Sequence, residues 1–433
     1  MLLQQLLTVL LNSLDTLMLG QRMEAEVVAS GLANQIIFIY MVIIFGVTGG
    51  GAIFTAQYWG KNQDVPSIHK MMGIQMACSS VFALVFTVSA LCFPEALMRI
   101  YSKDPAVVAM GADYLRVTAP NYLLFAVTTT YTSTLRAMGQ PRLGLVMVTI
   151  AVVTNGVLNW VFIFGKWGLP AMGIQGAALA TTVARCVEVV GMLFLVYHHD
   201  MLIAARWESM FSFTKPLLRQ FFKVVSFVIA VEASWSIGTS LYNIAYKALG
   251  TDAQAAVQLA GTFQNASMIF AIGLGNACAV MVGHLLGAGD EDGALTCAKR
   301  MSVLSLGSGL GLGAVVAVLT PWLVQLFEVC RRSAEVGFFT RNMLYVIAAV
   351  LPIRCLEYMI MIGILRAGGD TKFSLVIDVV AVWGVGVPLA FLAVYVFHWP
   401  VYLVALLVNS EILCKCIVCG ARAWNRKWMR RLV

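Results

Sequence analysis

Two acidic residues, Asp15 and Glu232, lie inside long apolar segments and have no basic residue at helical spacing. A carboxylate at the bilayer centre costs about 2.5–3.5 kcal/mol on insertion scales, so each needs a partner or a function. Glu232 lies about ten residues from either end of its apolar segment, with Trp235 and Ser236 on the same helical face. We expect it to take a proton or bind a cation such as Na+; the alternative is a neutral acid that packs two helices through a hydrogen bond.

Three asparagines could extend a polar site around Asp15. Asn12 shares its helical face, and Asn155 and Asn159 lie four residues apart, so both amides project from one face of a helix. They either complete a polar pocket with Asp15 or form hydrogen bonds between helices.

A third acid, Glu357, has Arg354 and Tyr358 on its face, so it is either a second coupling acid or half of a neutralised pair. Asp378 lies one to two turns inside a helix, from where it could reach the membrane edge, and we do not include it in the site. Three further acids have a base three or four residues away and are interpreted as structural pairs: Asp113 with Arg116, Glu188 with Arg185, and Glu411 with Lys415.

The substrate cavity is expected to be soft and aromatic. The chain has 22 Met, 23 Phe, 13 Tyr and 10 Trp, which suit varied amphipathic cations, although most of these side chains will face lipid or the core. Among the residues on polar faces, the candidates for the cavity are Gln35, Trp235 and Tyr242.

The composition requires a membrane. Of the 433 residues, 60% are hydrophobic and only 12% are charged, against about 25% charged residues in soluble domains. The net charge of +8 comes from short basic clusters between apolar runs, a pattern that favours membrane orientation over nucleic-acid binding.

Twelve segments are long and apolar enough to span a bilayer, which needs about 20 residues per helix. We expect an all-α integral membrane protein with an N-terminal lobe (1–198), an amphipathic linker on the cytoplasmic surface (199–220) and a C-terminal lobe with a basic tail (221–433). The predicted helices are 1–20, 30–58, 69–97, 107–137, 142–165, 172–198, 221–248, 253–286, 294–327, 337–366, 372–397 and 400–424.

The two lobes are predicted to be repeats. The segment LRAMGQPRLGLVM at 135–147 returns as LRAGGDTKFSLVI at 365–377, which is 230 positions later. Gly46, Ala52 and Gly60 likewise match Gly273, Ala279 and Gly287 at an offset of 227. Six helices per half place both halves in the same orientation, as parallel repeats.

The basic residues predict the orientation. With both termini in the cytoplasm, 18 Lys and Arg lie on the inner side, 8 on the outer side and 3 inside helices. This asymmetry follows the positive-inside rule, and we expect a multi-pass protein of a bacterial-type inner membrane.

Several segments together resemble the multidrug and toxic compound extrusion (MATE) transporters. They are residues 14–20 (LDTLMLG), 49–57 (GGGAIFTAQ), 135–139 (LRAMG), 155–164 and 172–181 (MGIQGAALAT). The resemblance implies twelve helices in two pseudo-symmetric six-helix bundles around a central cavity. It implies export of cationic or amphipathic drugs in antiport with Na+ or H+, by alternating access and without a further cofactor. It also assigns ion coupling to Asp15 and Glu232. Some relatives carry an aspartate where this chain has Asn159 and, in one subgroup, another where it has Cys355; Glu357 could replace the latter.

A lipid-linked oligosaccharide flippase of related architecture is the alternative. It should have a strongly cationic cavity, whereas Arg116, Arg185 and Arg354 each have an acidic neighbour. An enzyme is not expected, because the sequence has no HExxH, Walker A or Ser/His/Asp grouping. The expected partners are small organic molecules and the bilayer, not nucleic acid, and the protein is expected to be a monomer.

Overall fold

In the computed structural model, residues 7, 18, 24–327, 330–331 and 333–433 are described, and no strand occurs among them. Ten of the helices in this part of the chain are long and apolar enough to cross a membrane. The prediction of an all-α membrane protein is therefore confirmed. The predicted first helix, 1–20, lies outside the described residues except for Leu7 and Met18.

The described residues up to Ile229 form one compact unit, and Ala230–Val433 form a second. The first unit holds α1 (Glu24–Gly60), α2 (Val65–Cys92), α3 (Pro94–Arg99), α4 (Pro105–Thr118), α5 (Pro120–Ala137), α6 (Arg142–Phe164), α7 (Ile174–His198), α8 (Trp207–Phe211) and the start of α9 (Lys215–Lys247).

Prolines and caps set several of these boundaries. The side chain of Asp64 accepts a hydrogen bond from the backbone N–H of Ser67 and so caps α2, and Asp104 caps α4 through the N–H of Ala106. The predicted helix 107–137 is divided into α4 and α5, because Pro120 has no N–H to continue the helical ladder and instead begins the next helix.

The second unit contains the rest of α9 and two π-helical segments. Its other elements are α10 (Thr251–Ala288), α11 (Glu291–Leu326), α12 (Ala334–Tyr358), π1 (Met359–Arg366), α13 (Thr371–Ala381), π2 (Val382–Gly386), α14 (Val387–Tyr395), α15 (Val401–Val408) and α16 (Ser410–Trp424). Both π segments lie in predicted spans: π1 forms the end of 337–366, and π2 interrupts 372–397. A π turn is rare, and it is found often at functional sites.

Each unit has its own buried core. In the first unit, Tyr40, Phe86 and Tyr122 pack edge to face or tilted, with ring centroids 4.9–5.7 Å apart. In the second unit, Trp428 is fully buried and packs with residues of α10, π1 and α16. These cores fix the helices that carry the charged side chains.

Candidate functional site

Glu232 lies near the middle of α9 and forms an ion pair with Arg366, the last residue of π1. Arg366 Nη1 donates to Glu232 Oε1 at 2.7 Å, and the two side chains are 11% and 28% exposed, respectively. Glu232 has no basic residue at helical spacing, as predicted, but a basic residue of another element pairs with it. Its partner lies 134 residues away in sequence, so helical spacing could not reveal it.

Arg366 belongs to the second copy of the repeated segment. Leu365 and Ala367 beside it are buried, so this copy begins within the packed end of π1. The repeated segment thus supplies the cation that neutralises the central acid of α9.

A second group of charged side chains lies between α9, α13 and α16. Lys415 Nζ donates to Asp378 Oδ1 at 2.8 Å and lies 3.9 Å from Glu411 Oε1. Tyr242 donates its hydroxyl to Glu411 Oε2 at 2.5 Å. The predicted Glu411–Lys415 pair is present, but Asp378 is the closer partner. The predicted cavity residue Tyr242 is thus hydrogen-bonded to the carboxylate of Glu411.

Glu357 lies beside this group, on the last turn of α12. The basic groups that act on it are Lys415 and Arg354, and the acids that act on it are Asp378 and Glu411. Arg354 itself donates to Asn409 Oδ1 at 2.9 Å. The neighbouring Lys415 is thus a second basic group for Glu357, which the sequence did not indicate.

In the first unit, the two predicted asparagines form a chain of hydrogen bonds between α6 and α7. Asn159 Nδ2 donates to Asn155 Oδ1, and Asn155 Nδ2 donates to Thr181 Oγ1, both at 3.0 Å. Both asparagines are fully buried. The alternative of hydrogen bonding between helices is thus observed, whereas a pocket shared with Asp15 lies outside the described residues, as do Asp15 and Asn12 themselves.

The remaining predicted residues are accounted for as follows. Gln35 and Trp235 lie on exposed faces of α1 and α9, and Trp235 is 48% exposed. The predicted local pairs are present: Arg185 donates to Glu188 at 2.7 Å in a buried site, and Arg116 to Asp113 at 3.1 Å in an exposed one. Short spacing along one helix was enough to predict these two pairs.

The family model described as MatE matches residues 1–161 and 225–392 of this chain. A probable multidrug resistance protein NorM of Rhizobium meliloti is 28% identical over 92% of the chain and 84% of its own length. A protein of the same name from Thermotoga maritima is 23% identical over 91% of the chain and 84% of its own length.

Solved structures share the fold. A multidrug resistance MATE family transporter in an outward-facing conformation aligns with a TM-score of 0.87 and 16% identity, covering 99% of this chain and 94% of its own. The Vibrio cholerae MATE transporter VcmN in its bent form aligns with a TM-score of 0.86 over 99% and 96%. At this identity, the structural likeness establishes the fold alone.

Proposed function

We propose, because the chain belongs to the MatE family, that it is a multidrug efflux transporter exporting cationic or amphipathic organic compounds in antiport with Na+ or H+. It would act as a monomer in a bacterial inner membrane, with both termini in the cytoplasm. The NorM names of its relatives support drug export, and the matching structures support a fold made for transport.

The observation that carries the ion-coupled part of this proposal is the Glu232–Arg366 pair. An acid in the middle of a membrane-spanning helix is paired with one guanidinium, and a proton or Na+ at Glu232 would compete with Arg366. Binding of the coupling ion would therefore release π1 from α9. A local change of this kind can bias a transporter between two states if each state prefers one form of the acid.

We further propose that Asp15 has the corresponding role in the first unit, with Asn12 beside it. The polar cavity is proposed to include Asn155, Asn159, Gln35, Trp235 and Tyr242, and Glu357 is proposed as an additional coupling acid.

The flippase alternative finds less support. Pyrophosphate recognition needs basic groups that are free to meet the ligand. In the described part of the chain, Arg185, Arg366 and Lys415 bind carboxylates of their own unit, and Arg354 donates to Asn409. We therefore favour export of organic cations.

The first prediction concerns the two coupling acids. Glu232→Gln and Asp15→Asn should each reduce gradient-driven ethidium transport in everted vesicles to the level of vesicles without the transporter, since neither amide can take a proton or replace a carboxylate ligand. Separate Na+ and pH gradients would identify the coupling ion. Glu95→Gln, at an acid that is 56% exposed, is the matched control and should transport normally. Normal ion-driven transport by both test variants would contradict the assignment.

A further inference from the structure

The group formed by Tyr242, Asp378, Glu411 and Lys415 does not include Asp15 or Glu232, although Glu357 lies beside it, and its charged members are almost fully buried. Asp378, Glu411 and Lys415 are 3%, 7% and 4% exposed. Ionised groups at such depth persist only when they are paired with one another, because their lost hydration is costly. The way in which their charges balance therefore decides what this group can bind.

The negative charges of this group outnumber its positive charges. Within the group, Asp378 and Glu411 face one cation, Lys415, whose ammonium lies 2.8 Å from the first and 3.9 Å from the second. The groups that act on these carboxylates from outside the group are Glu357, Arg366, Tyr246 and Cys419, and Arg354 acts on Glu357 in turn.

These neighbours do not remove the excess negative charge. Arg366 is already paired with Glu232, and Arg354 offsets Glu357 in the formal count. One negative charge in this dry region is therefore left over when every group is ionised. A proton or an exchangeable cation would neutralise it.

The geometry indicates where that charge is accessible. Glu411 accepts the Tyr242 hydroxyl at one oxygen and faces Lys415 with the other. Asp378 binds Lys415 through Oδ1, but its Oδ2 is buried and has no hydrogen-bond partner. A buried carboxylate oxygen without a partner is costly unless something binds to it. Asp378 Oδ2 is thus the open position of the group.

The π2 segment provides the room for this arrangement. It ends at Gly386, where an added Cβ would overlap both the Tyr242 hydroxyl and Glu411 Oε2. Gly386 therefore lets the Tyr242–Glu411 hydrogen bond approach the helix backbone closely. The site is built from α9, α13, π2 and α16, and a π turn lies directly against it.

We propose that Asp378, Glu411, Lys415 and Tyr242 form a proton-binding site, in which the ammonium of Lys415 fills the place that a metal cation would otherwise take between the two carboxylates. The inference rests on the proposed function, in which a cation gradient drives export, and it specifies H+ for this site. A proton at Asp378 Oδ2 removes the excess charge. Na+ is excluded, because Lys415 already lies between the oxygens that would have to coordinate it.

Infrared difference spectroscopy of the purified full chain tests the proton. The spectrum of an acidified sample minus that of an alkaline sample should contain a carbonyl stretch of a buried carboxylic acid. That band should disappear in Asp378→Asn and stay unchanged when NaCl replaces choline chloride. If the wild-type protein has no such band, or if the folded Asp378→Asn variant keeps it, the proposal is wrong.

Thermal unfolding with Na+ tests the role of Lys415 and does not depend on the first variant. Lys415→Met leaves two facing carboxylates without their cation, so NaCl should raise its unfolding temperature relative to choline chloride at equal ionic strength. The wild-type protein should not respond. The double variant Asp378→Asn/Lys415→Met has the same net charge as the wild type but lacks the carboxylate pair, so it should lose the Na+ response.

Stabilisation of the wild-type protein by Na+, or an equal Na+ response in Lys415→Met and the double variant, would overturn the proposal. Both measurements are made at equilibrium without drug. They can therefore contradict the proton-binding site even if the protein carries out gradient-driven efflux. They still test that site if the protein shows no efflux.

Discussion

At the level of single residues, Glu232 and Arg366 depend on each other, because each would be an uncompensated charge in a membrane helix without the other. We expect Glu232→Gln and Arg366→Gln to destabilise the protein separately, since each leaves one member of the pair alone. The double variant should be more stable than the sum of the two changes predicts. The interaction free energy should be about 0.5–3 kcal/mol, as for other groups in direct contact.

Unfolding of the four proteins in a double-mutant cycle measures this free energy. The same cycle on Arg116 and Asp113, which are 46% and 45% exposed, is the control and should give less than about 1 kcal/mol. Additive effects of Glu232→Gln and Arg366→Gln would show that the pair contributes no net stability.

The contrast between these pairs shows which part of the site the sequence could predict. Arg185 and Glu188 lie three residues apart, so one helical turn already brings them together. Glu232 and Arg366, or Asp378 and Lys415, come from different helices. The periodicity of the sequence does not show how those helices pack against each other, so the predicted site does not include Asp378.

At the scale of elements, the two copies of the repeated segment have diverged at one informative position. Met138 of the first copy corresponds to Gly368 of the second, where an added Cβ would overlap the ring of Trp428. The backbone N–H of Arg430 donates to the Gly368 carbonyl at 3.0 Å, and the Arg430 side chain lies 2.7 Å from Asp370. The C-terminal tail is thus bound to the second copy.

Because the tail is bound in this way, we expect Trp428→Ala to destabilise the protein strongly. Trp428 is fully buried, so its truncation leaves a cavity. We expect the free energy of unfolding to fall by about 3–5 kcal/mol. Trp424→Ala is the matched control. The Trp424 ring is 72% exposed, and the ring contact described for it is a cation–π interaction with Lys299, whose Nζ lies 4.7 Å from the ring centroid. It should cost about 0.5–1 kcal/mol.

Thermal or denaturant unfolding of both variants checks this prediction. Equal stability of Trp428→Ala and Trp424→Ala would mean that the tail does not brace the second copy in the membrane-embedded protein.

The elements also show how far hydropathy can be used. It predicted the long helices correctly, because burial in lipid requires about 20 apolar residues whatever their packing. It did not separate α4 from α5 at Pro120, and it could not predict π1 and π2. A π turn adds one residue to a helix without changing composition, so its position follows from tertiary contacts such as Arg366–Glu232 and Gly386 against Tyr242.

At the scale of the whole molecule, the distribution of charge determines how the chain enters the membrane. The structure places two of the residues counted on the inner side, Arg366 and Lys415, in ion pairs within the protein, which leaves 16 inner Lys and Arg against 8 outer ones. The predicted orientation survives this change, since the positive-inside rule depends on the large difference between the two sides.

Accessibility of single cysteines tests that orientation directly. In a cysteine-free background, Lys103→Cys introduces a thiol before α4 on the predicted outer side, and Lys427→Cys introduces one in the C-terminal tail. Both positions are exposed, so differences in reactivity report the side of the membrane and not burial. A membrane-impermeant maleimide should label Lys103→Cys in intact cells, whereas Lys427→Cys should react only in everted vesicles. Labelling of Lys427→Cys in intact cells would place the tail outside, and with it the Arg422–Asp370 and Arg430–Asp370 contacts that hold the second copy of the repeat.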